Sequence, residues 1–293
     1  MPWVISTARA AKAGIGIAAY PDHALDAMTL KRRADMALRK AKHQQTGTVV
    51  FDPALDVRSK QALTLLGELR QAIEHDQLRL YLQPKVSLIT GEVTGAEALL
   101  RWQHPTRGLL PPAQFIPFAE QTGFIRHITA WLLEAAARTS REWVNAGLLF
   151  SMAVNLSTRD LIDHELPSKL DAVLTRHRVS PRSMCLEITE SSIMDDPQRA
   201  LQTLDHLHQM GLMLAIDDFG TGYSSLAYLK RLPVDELKID KSFVMNMQRD
   251  EQDAKIVRST IDLAHNLGLK VIAEGMEDGQ AWPLLKALSC DQA

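Results

Sequence analysis

The 293-residue chain has few cysteines, few aromatic residues and no long apolar run. Its two cysteines, Cys185 and Cys290, suggest a protein of a reducing compartment such as the cytoplasm rather than a disulfide framework. No run of about 18 apolar residues is present, so no membrane segment is expected. The first 16 residues lack the apolar centre of a signal peptide.

The chain also lacks an excess of charge of either sign. Lys and Arg total 33 against 35 Asp and Glu, which leaves a formal net charge of −2. This balance predicts neither a polymeric nucleic acid nor an anionic membrane as a partner. The hydrophobic content of 46% is enough for a sizeable core in one large α/β domain, or in one large and one small.

The first part of the chain reads as a small separate region. "GIGIAAYP" predicts a short strand, "LDAMTLKRRADMALRKAKHQQ" an amphipathic helix and "TGTVVFD" a returning strand. Three such elements cannot bury a core of their own, so they look like the end of something larger. We therefore expect a partial domain over residues 1–54, the start of a linker helix over 55–65 and a second domain over 66–293.

The second region repeats one theme, in which an apolar run ends in a polar residue and a helical segment follows. Such alternation predicts an α/β fold with a parallel sheet, and its size suggests a (β/α)8 barrel. The loop "SLITGE" between the first two runs is too short for a parallel crossover, so these two should form an antiparallel hairpin. The seven runs are "LRLYLQP", "EVTGAEALLR", "LFSMAVNLS", "SMCLEITE", "LMLAIDDF", "ELKIDKS" and "LKVIAEG". An eighth strand is not visible, and we expect the first and seventh strands to face a gap.

Function in such barrels lies at the carboxyl ends of the strands. Six successive ends carry an acid, an amide or a lysine, and none of these principal positions is His or Cys. Oxygen ligands suit Mg²⁺ or Mn²⁺ rather than zinc. The positions are Glu97, Asn155, Glu187, the pair Asp217 and Asp218, Lys238 with Asp240, and Glu274.

The adjacent carboxylates of Asp217 and Asp218 repel each other unless something positive binds both. Two divalent cations about 4 Å apart would do so, and such pairs commonly catalyse displacement at phosphorus. Taken singly, Asn155 reads as a helix cap, Lys238 equally well as a salt-bridge partner, and Glu190 as a cap or loop brace. Their coincidence on successive strands is what favours a metal site.

These residues resemble a known family. "AEALLRW", "NLS", "EITE", "DDFGTGYSSL", "LKIDKSFV" and "VIAEGME" are similar to the motifs of bacterial EAL-domain phosphodiesterases, over about residues 66–293. The resemblance implies a modified TIM barrel with one antiparallel strand. It also implies hydrolysis of cyclic di-GMP to linear pGpG with two Mg²⁺ or Mn²⁺ ions, and a possible homodimer near the "DFGTGYSS" loop.

The resemblance implies a role for each site residue. Metal ligation falls to Glu97, Asn155, Glu187, Asp217 and Asp218, of which Asp217 would bridge and Asp218 would hold the second ion. Two residues would act in catalysis: Lys238 would orient or polarise the attacking water, and Glu274 would be either the general base or a second-ion ligand. The remaining implied roles are substrate contacts for Gln83, Arg101, Asp240 and Glu277 and bracing of the "DFGTGYSS" loop for Glu190.

Residues 1–51 resemble the last third of a GGDEF diguanylate cyclase domain without its signature, so cyclase activity is not expected. The family's "CDxxQGY" stretch stops here at Asp291-Gln292-Ala293, and we expect a chain cut at both ends. Two other functions stay open. One is a catalytically inactive receptor for cyclic di-GMP, and the other is an enolase-like barrel, which the adjacent aspartates and the hairpin disfavour.

Overall fold

The structure, a computed structural model, describes residues 14–44, 47–221, 226–276, 279 and 281–293. The chain divides into two compact units, residues 1–70 and 71–293. Helix α2, Pro53–Glu74, contains the boundary between them. Residues 55–65, the expected start of a linker helix, lie within α2.

The first unit contains strand β1 (Ile15–Ile17), helix α1 (Ala27–Gln44) and strand β2 (Thr48–Val50). The two strands pair in parallel, so α1 is the crossover between them. Gly16 allows the helix to approach the strand closely, because a Cβ there would lie 2.1 Å from the backbone nitrogen of Leu38. The strand, helix and strand expected in this part of the chain are thus all present.

Among its described residues, the second unit has eight strands and the helices that connect them. The strands are β3 (Leu78–Val86), β4 (Val93–His104), β5 (Gly108–Leu110), β6 (Ser151–Asn155), β7 (Met184–Thr189), β8 (Met213–Phe219), β9 (Glu236–Ile239) and β10 (Lys270–Ala273). The α-helices are α3 (Ile116–Thr122), α4 (Ile125–Asn145), α5 (Thr158–Leu161), α6 (Leu166–His177), α7 (Glu190–Met194), α8 (Pro197–Gln209), α9 (Leu226–Leu229), α10 (Lys241–Asn246), α11 (Glu251–Asn266) and α12 (Ala281–Ala287). Two short 3₁₀ turns cover Pro112–Gln114 and Pro181–Ser183.

The sheet confirms the predicted topology. Its order is β10-β9-β8-β7-β6-β4-β3. β3 and β4 form the antiparallel hairpin, and every later neighbour on that path pairs in parallel. Strand β5, which pairs antiparallel with the end of β4, was not predicted. The fold is therefore an α/β, TIM-barrel-like sheet with an antiparallel first strand.

The main apolar core lies between the outer face of the strands and the surrounding helices. Helix α4 contributes Leu132 and Ala136, which are four residues apart and so lie on one side of the helix. The turn after the helix reaches Gly147 at φ 77°, a conformation that favours glycine after a helix end. No helix among the described residues has the length and apolar character needed to cross a membrane.

The last three residues lie between β10 and β3, where we expected a gap. Gln292 bridges Ser87 in antiparallel fashion and Ile272 in parallel. Its amide donates to Val271 at 3.1 Å, and its carbonyl accepts from Ala273 at 2.9 Å. On the other side, residues 291 and 293 exchange three backbone hydrogen bonds of 2.8–3.0 Å with residues 86 and 88. Within the described chain no full strand forms between β10 and β3, but residues 291–293 join the two.

This junction predicts a contrast between two substitutions at one position. Gln292→Pro removes the amide that donates to Val271 and should lower the free energy of unfolding by roughly 1–3 kcal/mol. Gln292→Ala keeps the amide and should have little effect, because the side-chain oxygen Oε1 is buried without a hydrogen-bond partner among the described residues. Urea denaturation of both variants measures the difference. Equal stabilities would mean that these residues do not join the sheet in solution.

Candidate active site

A single buried lysine lies at the centre of the candidate site. Lys238 is on β9, whose four residues are all buried, and its side chain is 2% exposed. Its Nζ lies 2.6 Å from Glu274 Oε1, 2.8 Å from Glu187 Oε2 and 3.2 Å from oxygens of Glu97 and Asp217. Carboxylates from four different strands or their ends therefore surround one ammonium group.

Glu97 comes from the middle of a strand and not, as expected, from its end. Its strand β4 pairs with β6 only over Gly95–Ala98 and then continues to His104, seven residues beyond Glu97. Asn155, the last residue of β6, donates from Nδ2 to Glu97 Oε1 at 2.7 Å. This hydrogen bond joins the amide to the carboxylate cluster.

The two aspartates of β8 reach the same cluster because the strand is irregular there. Consecutive residues of a regular strand point to opposite faces. Asp218 instead has φ 52°, in the left-handed region, and the pairing of β8 with β9 shifts register between Ile216 and Phe219. Carboxylate oxygens of Asp217, Asp218 and Glu274 consequently lie within 4.8 Å of one another.

Glu274 follows β10 at a turn that only glycine can make. Gly275 has φ 75°, and a Cβ on it would lie 2.4 Å from Lys241 Cβ. A larger residue would therefore push α10 away from the end of β10. The turn holds Glu274 beside Lys238 and the Asp217–Asp218 pair.

Burial and mutual repulsion shift the pKa values of the site. Burial raises the pKa of Glu187 to about 8, with repulsion from Glu97 and Asp217 adding to it. Burial likewise raises the pKa of Asp218 and of Glu274 to about 6 each. Burial alone would lower the pKa of Lys238, but the carboxylates around it, Glu187 foremost, raise that pKa well above its usual range.

The residues present fit divalent cations. Glu187 Oε1 is fully buried without a hydrogen-bond partner among the described residues, so one lone-pair-bearing oxygen of the cluster is unused. Five carboxylates and one ammonium leave a local excess of negative charge that cations would neutralise. Carboxylate and amide oxygens are the ligands of hard cations such as Mg²⁺ and Mn²⁺.

The remaining predicted residues lie around this cluster. Gln83 pairs with Glu97 across β3 and β4 and is exposed. Arg101 lies four residues further along β4, where its guanidinium donates to Leu100 O at 2.8 Å and lies 5.9 Å from the centroid of the Tyr81 ring. The structure therefore places Arg101 beyond the carboxylate cluster and not within it.

Asp240 follows β9 and caps α10, accepting from the Ser242 amide at 2.9 Å. Burial alone would raise the pKa of Asp240, but hydrogen bonds from Ser242, and after them one from Asp218, lower it. Glu190 begins α7 and lines a small cavity with Phe219 and Tyr228. Glu277 and residues 222–225 of the loop after β8 lie outside the described residues.

Sequence reasoning missed a second polar layer in the barrel. Lys85 and Glu236 are almost fully buried and form an ion pair of 3.3 Å, although neither was singled out. The available signal was spacing, because Glu236 precedes Lys238 by two residues and so shares its face of β9. Lys85 likewise follows Gln83 by two residues on β3.

Comparisons with known proteins find similar sequences and structures. The EAL domain family model matches residues 66–293. The chain is 43% identical over 281 residues to the bifunctional diguanylate cyclase/cyclic di-GMP phosphodiesterase MucR of Pseudomonas aeruginosa, covering 95% of this chain and 41% of that protein. It is 38% identical over 267 residues to the cyclic di-GMP phosphodiesterase PdeR of Escherichia coli K12, covering 91% and 40%.

Solved structures match as well. The structure of the PaMucR phosphodiesterase in complex with c-di-GMP has a TM-score of 0.75 at 45% identity, over 78% of this chain and 93% of that one. The chain spans about two fifths of the length of the two relatives above.

The raised carboxylate pKa values predict that the metal-free protein becomes less stable as pH rises. A folded-state pKa above the unfolded value means that the folded state binds the proton more tightly, so the free energy of unfolding falls with deprotonation. The fall should span the window from the ordinary glutamate value of 4.5 to about 8. Urea denaturation in EDTA from pH 5 to 8 measures it. Glu187→Gln is the control and should flatten the upper part of the curve, and a wild-type curve that rises over this window would contradict the assignment.

Proposed function

Because the chain belongs to the EAL domain family, we propose that it hydrolyses cyclic di-GMP to linear pGpG with two divalent cations, in bacterial second-messenger signalling. The observation that carries this proposal is the cluster of Glu97, Glu187, Asp217 and Glu274 around Lys238. Relatives carry names that state this activity, and a solved relative contains the nucleotide.

In this proposal, Glu97, Asn155, Glu187 and Asp217 hold the first ion, and Asp217 and Asp218 share the second. Mg²⁺ or Mn²⁺ would supply positive charge to the phosphodiester oxygens and lower the pKa of a bound water. The orphaned oxygen of Glu187 and the proximity of Asp217, Asp218 and Glu274 support this division.

Lys238 serves as a proton-bearing group and not as a base. Its raised pKa keeps it an ammonium at neutral pH, and an ammonium has three donors and no lone pair. It can therefore orient the attacking water and balance the carboxylates. Glu274, with a pKa of about 6, contacts Lys238 and can accept a proton near neutral pH. Its place beside Asp217 and Asp218 also suits it to hold the second ion.

We propose that the residues that contact the substrate lie at the rim of the barrel. Arg101 has the forked guanidinium that suits a phosphodiester or a guanine edge. Gln83, Asp240 and Glu277 are further contacts in the same proposal, and Glu190 is proposed to brace the loop after β8. The origin of residues 1–54 from a GGDEF domain, a homodimer and a cytoplasmic location also stay predictions.

A specific alternative is a cyclic di-GMP receptor without turnover. The retention of every metal-compatible residue in one cluster favours the enzyme. Incubation of the chain with cyclic di-GMP and Mn²⁺, followed by chromatography, separates the two functions. Formation of linear pGpG that EDTA abolishes supports the enzyme, whereas binding of cyclic di-GMP without product supports the receptor.

The two kinds of site residue should respond differently to substitution. Glu97→Ala and Asp217→Ala should weaken metal binding and lower turnover by about 100-fold or more. Lys238→Met removes the ammonium without removing an oxygen ligand, so it should lower turnover by about 100-fold or more while metal still binds. Calorimetric metal titration beside kcat measurements tests this division. Equal loss of metal by all three variants would overturn it.

A further inference from the structure

The interior of the barrel contains a second ionic layer directly beneath the carboxylate cluster. Alternate residues of a strand share one face, so Glu236 lies below Lys238 on β9 and Cys185 lies below Glu187 on β7. Lys85 on β3 donates from Nζ to Glu236 Oε2 at 3.3 Å, and Cys185 Sγ donates to the same oxygen at 3.7 Å. The side chains of Lys85 and Glu236 are only 5% and 8% exposed.

This ion pair spans the interior and does not join neighbouring strands. In the sheet order, β10 and then residues 291–293 lie between β9 and β3. Strands β6, β7 and β8 contribute Ala153, Cys185 and Ala215 at this level, which form a cluster of small buried residues. Their short side chains leave room for a lysine to reach a distant strand.

Strand β9 is short and irregularly paired near Lys238. It is four residues long, and its pairing with β8 is interrupted between Ile216 and Phe219. Lys238 consequently has a registered partner on β10, Ile272, but none on β8. The irregularity that brings Asp217 and Asp218 together thus leaves Lys238 with a registered partner on one side only.

We propose that the Lys85–Glu236 ion pair is a positioning element that holds β9, and with it the Lys238 ammonium, at the centre of the carboxylates. The proposal rests on the proposed phosphodiesterase function. Lys85 and Glu236 act through Lys238 and contact neither substrate nor reacting atoms. A stabilising role alone explains the pair poorly, because replacing both members of a buried ion pair by neutral groups is often neutral or stabilising.

The test compares Lys85→Met, Glu236→Gln and the double variant with the wild type. Each single variant leaves one buried charge unpaired and should lose stability, whereas the double variant should regain a urea midpoint close to wild type. Despite that recovery, its kcat should stay about 10- to 100-fold lower, in the range seen when groups that orient active-site ligands are removed. Its KM should stay within about twofold, because the substrate contacts lie at the rim.

A second readout does not depend on turnover. Amide hydrogen exchange at residues 237–239 of the metal-free protein should accelerate in the double variant, while other strands exchange as in wild type. Val173→Ala is the matched control, because Val173 is buried on α6, outside the barrel interior. It should lower global stability, leave kcat unchanged and produce no selective exchange in β9.

The outcomes are distinct. A double variant with wild-type kcat and wild-type exchange at β9 overturns the proposal. A loss of kcat of the same size in Val173→Ala overturns it as well. If the wild-type chain produces no pGpG, the proposed function fails, and the exchange of residues 237–239 alone decides whether the pair positions β9.

Discussion

The contact between one buried ammonium and four carboxylates is the constraint on which the second unit depends. Carboxylates this close together repel each other, and removal from water increases the cost. Lys238 offsets part of that cost only if its Nζ lies within about 3 Å of all of them, as it does. A parallel barrel meets this requirement, because it brings successive strands to one level around a common centre.

The two faces of each barrel strand carry different kinds of side chain. Outward residues such as Val154, Leu186 and Leu214 pack beneath the helices in the main core. Inward residues of the same strands are small or ionic, and bulky apolar groups are few among them. Stability therefore rests mainly on the layer between strands and helices, which frees the interior for charges that a folding core would not otherwise tolerate.

Much of this arrangement follows from patterns that a sequence displays. Apolar runs separated by helical spacing predict β6 to β10, and the six-residue loop before β4 predicts the hairpin. Polar residues at successive run ends predict most of the cluster. Long-range geometry is not visible in the same way. The left-handed backbone of Asp218, the continuation of β4 past Glu97 and the meeting of Lys85 with Glu236 depend on tertiary contacts, and no local pattern specifies them.

Because β4 continues for seven residues past Glu97, the candidate site lies on two parts of the structure that differ in stiffness, the barrel and a ribbon of strands. The metal-compatible cluster stands on the barrel, where each strand is flanked on both sides. Arg101 stands on the ribbon of β3, β4 and β5 above it, and narrow ribbons twist and open more readily than closed sheets. Bending of this ribbon would move the guanidinium relative to the carboxylates while their mutual distances stay fixed. The position of Arg101, the proposed substrate contact, can therefore vary independently of the ionic centre in this fold.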